Sequence, residues 1–117
     1  MTPSPELPDC VQVTTTASSA EGAQAIATDL VTNQLAACVQ VFPIRSTYRW
    51  QGTVEEQQDE WMCVAKTTAA ASTAIVEHIA GRHSYELPEI TVVPIAGGSH
   101  AYLRWIAEEV RQPDTGS

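Results

Sequence analysis

No stretch of this sequence stays apolar for anything near the ~20 residues that a membrane-crossing helix needs, which removes readings built on such a helix. Basic side chains are scarce as well. Six Lys and Arg stand against 14 Asp and Glu, for a formal net charge of -8, and that sign repels phosphate backbones and anionic lipid heads. Partners that are nucleic acids or membranes are therefore not expected. The three cysteines, Cys10, Cys38 and Cys63, form an odd set with no CxxC spacing, so a disulfide-stapled secreted domain is not indicated and reduced thiols are expected. The start, Met1-Thr2-Pro3-Ser4-Pro5-Glu6, carries neither a basic head nor an apolar stretch behind it, and a cytoplasmic protein is the expectation. Gly97-Gly98 lacks the spacing of phosphate-binding loops and reads as a turn. What remains is 117 residues, 44% of them hydrophobic, enough for one domain with one core.

Residues 1–9 and 112–117 read as flexible tails, poor in groups worth burying, with the folded body over residues 10–111. Val11, Val13 and Thr15 alternate with Gln12 and Thr14, the period of a strand with one buried face. Ser18 and Glu21 have capping-box spacing ahead of Ala23, Ile26, Ala27, Leu30 and Val31, which align at helical spacing, and Asn33 suits the left-handed residue that ends such a helix. A second strand runs through Ala37, Val39 and Val41. Pro43 is expected to bend it or to change its partner before Tyr48 and Trp50. Gln51-Gly52 predicts a hairpin into a third strand that ends near Trp61 to Thr67. Thr67 or Thr68 is expected to cap a helix with Ala71, Ile75 and Ile79 inward. Ile90 to Ile95 is a fourth strand, and Ser99 caps a last helix bearing Leu103, Ile106 and Val110. The order is that of a split βαβ: α+β, an antiparallel sheet with two helices on one face, followed by a C-terminal helix.

Such a sheet leaves one face and two edges open. Tyr48, Trp50 and Trp61 add aromatic surface that a small subunit does not readily bury, so a closed oligomer is predicted. For metal chemistry, the groups able to converge are Cys38, His83, Glu86 and Glu89, with His78 and His100 more distant in sequence. Thiolate and imidazole would favour copper or zinc. His83 also fits a hydrogen-bonded role at a helix end, and Cys38 fits burial within an alternating strand. Cys10, at the edge of the tail, and Cys63, in mid-strand, are weaker candidates. Catalysis is not expected: a mid-strand Cys38 lacks the exposed, electropositive setting of a reactive thiol, and the pairs Glu55-Glu56 and Glu108-Glu109 diverge from neighbour to neighbour.

Particular residues also match a family. Leu35-Ala36-Ala37-Cys38-Val39, Tyr48-Arg49-Trp50-Gln51-Gly52 with Glu55, Lys66-Thr67, His83-Ser84-Tyr85-Glu86-Leu87-Pro88-Glu89-Ile90 and Tyr102-Leu103-Arg104-Trp105, in this order, closely resemble the CutA divalent-cation-tolerance proteins over residues 11 to 110. The resemblance implies a ferredoxin-like subunit in a tight homotrimer, similar in build to PII-type signalling proteins, and an association with copper or other divalent metal ions. Some bacterial members carry metal ligands at three positions, but two of them are Thr15 and Arg82 here, poor ligands both, and only His83 remains. Ser84 replaces the family's usual proline beside it. Tyr48, Trp50, Lys66, Glu86 and Tyr102 belong to matching motifs that would lie near subunit boundaries. They form a candidate cleft for a small anion, metabolite or protein partner, or an interface with no ligand at all.

Overall fold

Residues 8–112 are described by the computed structural model; most of the two expected tails lies outside them. The chain runs β1 (Cys10–Ala17), α1 (Ala20–Thr32), β2 (Cys38–Trp50), β3 (Thr53–Thr68), α2 (Ser72–Arg82), β4 (Ile90–Pro94) and α3 (His100–Glu109). The four strands form one antiparallel sheet in the order β2-β3-β1-β4, which is the predicted split βαβ topology.

Alternation on β1 works as expected, with Val11, Val13 and Thr15 buried. Val11 and Val13 meet Leu30 and Ala36, Ala65 of β3, and Ile75 and Ile79 of α2 in the main core cluster. Cys10, expected at the edge of a tail, is instead buried with Ala71, Leu103, Ile106 and Val110, where α3 closes one end of the sheet. Its thiol also lies 3.7 Å from the Leu103 carbonyl. No periodicity within β1 could reveal a partner 93 residues away.

At the two ends of α1 the expected residues shift by one, while of the two candidates for the next cap Thr68 takes the role. Ser19, not Ser18, caps α1, its hydroxyl accepting from the Gly22 N–H at 2.9 Å. The left-handed residue after α1 is Gln34 (φ 57°), while Asn33 (φ -86°) keeps its backbone near the helix and donates to the Asp29 carbonyl. Thr68 caps a short 3-10 turn over Ala69–Ala71, ahead of α2. Thr67 turns inward and its hydroxyl donates to the Leu35 carbonyl at 2.6 Å.

Pro43 neither breaks β2 nor changes its partner: it pairs with Trp61, and the register slips one step later, between Ile44 and Ser46. β2 is an edge strand, where a residue without an N–H can be accommodated. The hairpin turn sets both Gln51 (φ 50°) and Gly52 (φ 83°) left-handed, the geometry of a two-residue turn that matches the strands' twist. The resulting ribbon draws the molecule out to 60 Å in its long dimension, against 31 and 26 Å in the others.

One buried polar atom has no partner in the described structure, the Thr15 hydroxyl. An unsatisfied buried hydroxyl costs about 1–3 kcal/mol, so Thr15→Val should stabilise the fold by about 1 kcal/mol. The measurement is a urea titration, with a higher midpoint expected at unchanged slope.

Candidate functional site

The long ribbon does not lie flat against the body. Between its base and the loop that follows α2, a cleft of about 730 Å³ opens. Arg45, Tyr48, Arg49 and Trp50 enter it from β2, Gln57 and Glu60 from β3, and Tyr85, Glu86 and Glu89 from the loop. At its inner end, Glu60 is only 7% exposed. Its Oε1 accepts from the Ser46 hydroxyl at 2.6 Å and its Oε2 from the Tyr85 hydroxyl at 3.1 Å. Burial first, and the Glu60 carboxylate second, push the Tyr85 phenol up to about 12, so Tyr85 remains a donor throughout the neutral range.

The loop is held against β1 through His83. Its Nε2 lies 2.6 Å from the Thr16 carbonyl and its Nδ1 3.0 Å from the Tyr85 N–H. A carbonyl only accepts and an amide N–H only donates, so Nε2 carries the proton and the Nδ1 lone pair is taken. Its ring packs at 4.7 Å from that of Tyr85. Both nitrogens are thus engaged in positioning the loop that supplies Tyr85, Glu86 and Glu89.

The residues proposed from sequence fall into two separate groups. Tyr48, Trp50, Glu86 and Glu89 line the cleft with Glu60, while Cys38, Lys66 and Tyr102 meet elsewhere. Cys38 and Lys66 are direct partners across β2 and β3, Lys66 donates to the Gln40 side-chain carbonyl, and burial followed by the adjacent Cys38 raises the Tyr102 phenol. Cys63 is enclosed, and burial pushes its thiol up to about 11. Glu60, Ser46 and Tyr85 were given no role from sequence. Glu60 follows Glu55, Glu56 and Asp59 in sequence, and its parity is opposite to that of the buried Cys63, Ala65 and Thr67, so alternation along β3 gives no sign of its burial.

Comparison with known proteins decides the family. The model of the CutA1 divalent ion tolerance protein matches residues 11–109. The chain belongs to this family. It is 45% identical to the divalent-cation tolerance protein CutA of Thermus thermophilus over 94 residues, covering 80% of this chain and 90% of that one. The chloroplastic CutA of Arabidopsis thaliana is 34% identical over 102 residues, which are 86% of this chain but 56% of the plant protein. The chain therefore spans little more than half of that relative's length. CutA from Synechococcus elongatus superposes with a TM-score of 0.84 at 35% identity, covering 89% of this chain and 92% of that one. A second structure of that protein, complexed with a Bis-Tris molecule, gives 0.81 at 33% identity over 88% and 95% of the two chains.

The family's name implies divalent cations, which require several donors converging on one point. Among the described residues, no group of three or more His, Cys, Asp or Glu could hold a metal ion. The position expected to carry a ligand on β1 is the buried hydroxyl of Thr15, Arg82 hydrogen-bonds His78 at 3.1 Å, and the His83 ring is already in use. These residues do not fit a closed metal site.

Tyr85 holds its proton in the fold to about 12, whereas an unperturbed phenol loses it near 10.0. Its contribution to stability is complete below pH 10 and should be lost as pH rises towards 12. Ultraviolet titration of the tyrosines should show a latest phase that is absent from Tyr85→Phe, with Tyr102 also delayed. That variant also leaves the buried Glu60 carboxylate short of a donor, at a cost of about 1–3 kcal/mol in chemical denaturation.

Proposed function

We propose that this chain acts as a homotrimeric binding module of the divalent-cation tolerance family, in which the cleft beside the ribbon receives a small polar organic ligand. The observation that carries this reading is the cleft itself. It combines a buried carboxylate, aromatic rings and both signs of charge within about 730 Å³, a mixture typical of sites that fix a small molecule's orientation. The Bis-Tris complex of the Synechococcus elongatus relative is in keeping with it.

The homotrimer is supported by exposed apolar surface. Phe42, Val93, Tyr102 and Trp105 remain exposed on the subunit, and β2 and β4 are open edges, features that association between copies would cover. The three free thiols favour a reducing compartment, and on that ground we place the protein in the cytoplasm. The role is read as one of binding, in line with a family named for divalent ion tolerance; the enclosed Cys63 thiol, pushed up to about 11 by burial, is not activated as a nucleophile.

The test is thermal unfolding of chelator-treated protein against a panel of small amines, polyols and carboxylates. A ligand-dependent rise that survives Lys66→Ala and is lost in Glu86→Ala/Glu89→Ala supports the cleft. A panel without effect on the assembled protein overturns it. A ligand at 100 times its Kd should add about 2.7 kcal/mol.

A second reading, binding of copper or another divalent ion, is favoured by the family's name. Calorimetric titration with copper and zinc, run beside His83→Ala, separates the two. We expect weak heats that are the same in both proteins, together with a lowered melting temperature in the variant. Saturable binding lost in a folded His83→Ala would restore the metal reading. Assembly has its own check: the unfolding midpoint should rise with protein concentration, and Trp50→Ala should weaken association in light scattering.

A further inference from the structure

Glu60 poses a problem of charge. It is 7% exposed, yet the only contact between a basic side chain and a carboxylate among the described residues joins His78 and Asp29. Arg45 and Arg49 line the same cleft without forming an ion pair with any carboxylate among the described residues. A buried carboxylate ordinarily has a cationic partner, because hydroxyl donors alone only partly offset its lost hydration. Ser46 and Tyr85 donate one hydrogen bond to each oxygen, and a carboxylate can accept about four in all. The remaining capacity lies at the wall of the cleft.

We propose that Glu60 anchors a subsite for a small hydroxylated ammonium ion at the inner end of the cleft. This rests on the reading of the cleft as a ligand site and specifies its ligand. Charge favours a cation: Glu60, Glu86 and Glu89 outnumber Arg45 and Arg49 among the lining residues. Tyr85 lies beside Glu60, Tyr48 lies near Tyr85 in the same cleft, and aromatic faces attract an ammonium group. Ser18, Ser46, Thr47 and Gln57 line the same space and offer hydroxyl and amide groups to a ligand's own hydroxyls. Ser46 and Tyr85 fix the plane of the carboxylate, so they act as positioning residues.

The experiment compares protonated Tris with pentaerythritol, in which a fourth hydroxymethyl group takes the place of the ammonium. Both are titrated into the intact protein in amine-free buffer, with amide shifts of Ser46 and Tyr85 followed by NMR. Tris should bind and pentaerythritol should not, and Glu60→Gln should weaken Tris by about 10- to 100-fold, the worth of a charge-assisted contact. The comparison of the two ligands requires no variant, so it stands even if Glu60→Gln folds poorly. Equal binding of both compounds overturns the ammonium anchor while leaving the cleft as a ligand site. Silence from both, together with an inert wider panel, overturns the cleft reading as well. Tris binding only at tens of millimolar and unchanged in Glu60→Gln means an adventitious additive only, and overturns the proposal. No amine binding, with Glu60→Gln weakening association of the oligomer, assigns the counter-charge to a second copy and also overturns it.

Discussion

The ladder between β2 and β3 sets the terms for the rest of this molecule. Sixteen residues of β3 extend roughly 50 Å at strand rise, whereas the 13 residues of α1 extend about 20 Å at helical rise. Helices of that length cannot cover strands of that length. The half of the ribbon nearest the core is buried through Cys63, Ala65 and Thr67, and the other half projects with Val54, Glu55 and Glu56 exposed. A strand pair can persist beyond its core because each backbone N–H and C=O between the two strands is satisfied by its neighbour. The projecting half nevertheless has little to pack against within its own subunit.

The cleft follows from that projection. Where the ribbon leaves the body, the loop after α2 approaches it, and the gap is bridged at one point by Tyr85 reaching Glu60. The bridge has support on both sides. His83 ties the loop to the Thr16 carbonyl, and Ser46, just past the register slip in β2, satisfies the other oxygen of Glu60. A histidine that looks like a ligand in sequence is therefore part of the framework that positions the loop.

The buried surfaces divide the cysteines in a similar way. Cys10 and Cys63 lie in separate packed clusters and behave as small hydrophobic groups. Cys38 pairs in register with Lys66 and lies near Tyr102, away from the cleft. The sequence motifs that carry the family likeness thus serve two regions of the subunit, and adjacency in a motif list says nothing about which region each residue serves.

Element order, the split βαβ topology and the hairpin at Gln51-Gly52 were legible in the sequence, because alternation, helical spacing and turn residues are local properties. So were the inward faces of β1 and α2, and that of α1 except for Val31, which is exposed. Cap positions moved by one residue, since neighbouring serines compete for the same role and only the path of the chain selects between Ser18 and Ser19. Contacts between distant elements were not legible. Burial of Cys10 depends on a helix some 90 residues later in the chain, and the roles of Glu60 and Tyr85 depend on a loop meeting a strand 25 residues away. Sequence pattern determined which residues could be buried or polar; tertiary structure decided which polar groups met, because hydrogen bonding and charge pairing act over a few ångströms of space and not along the chain.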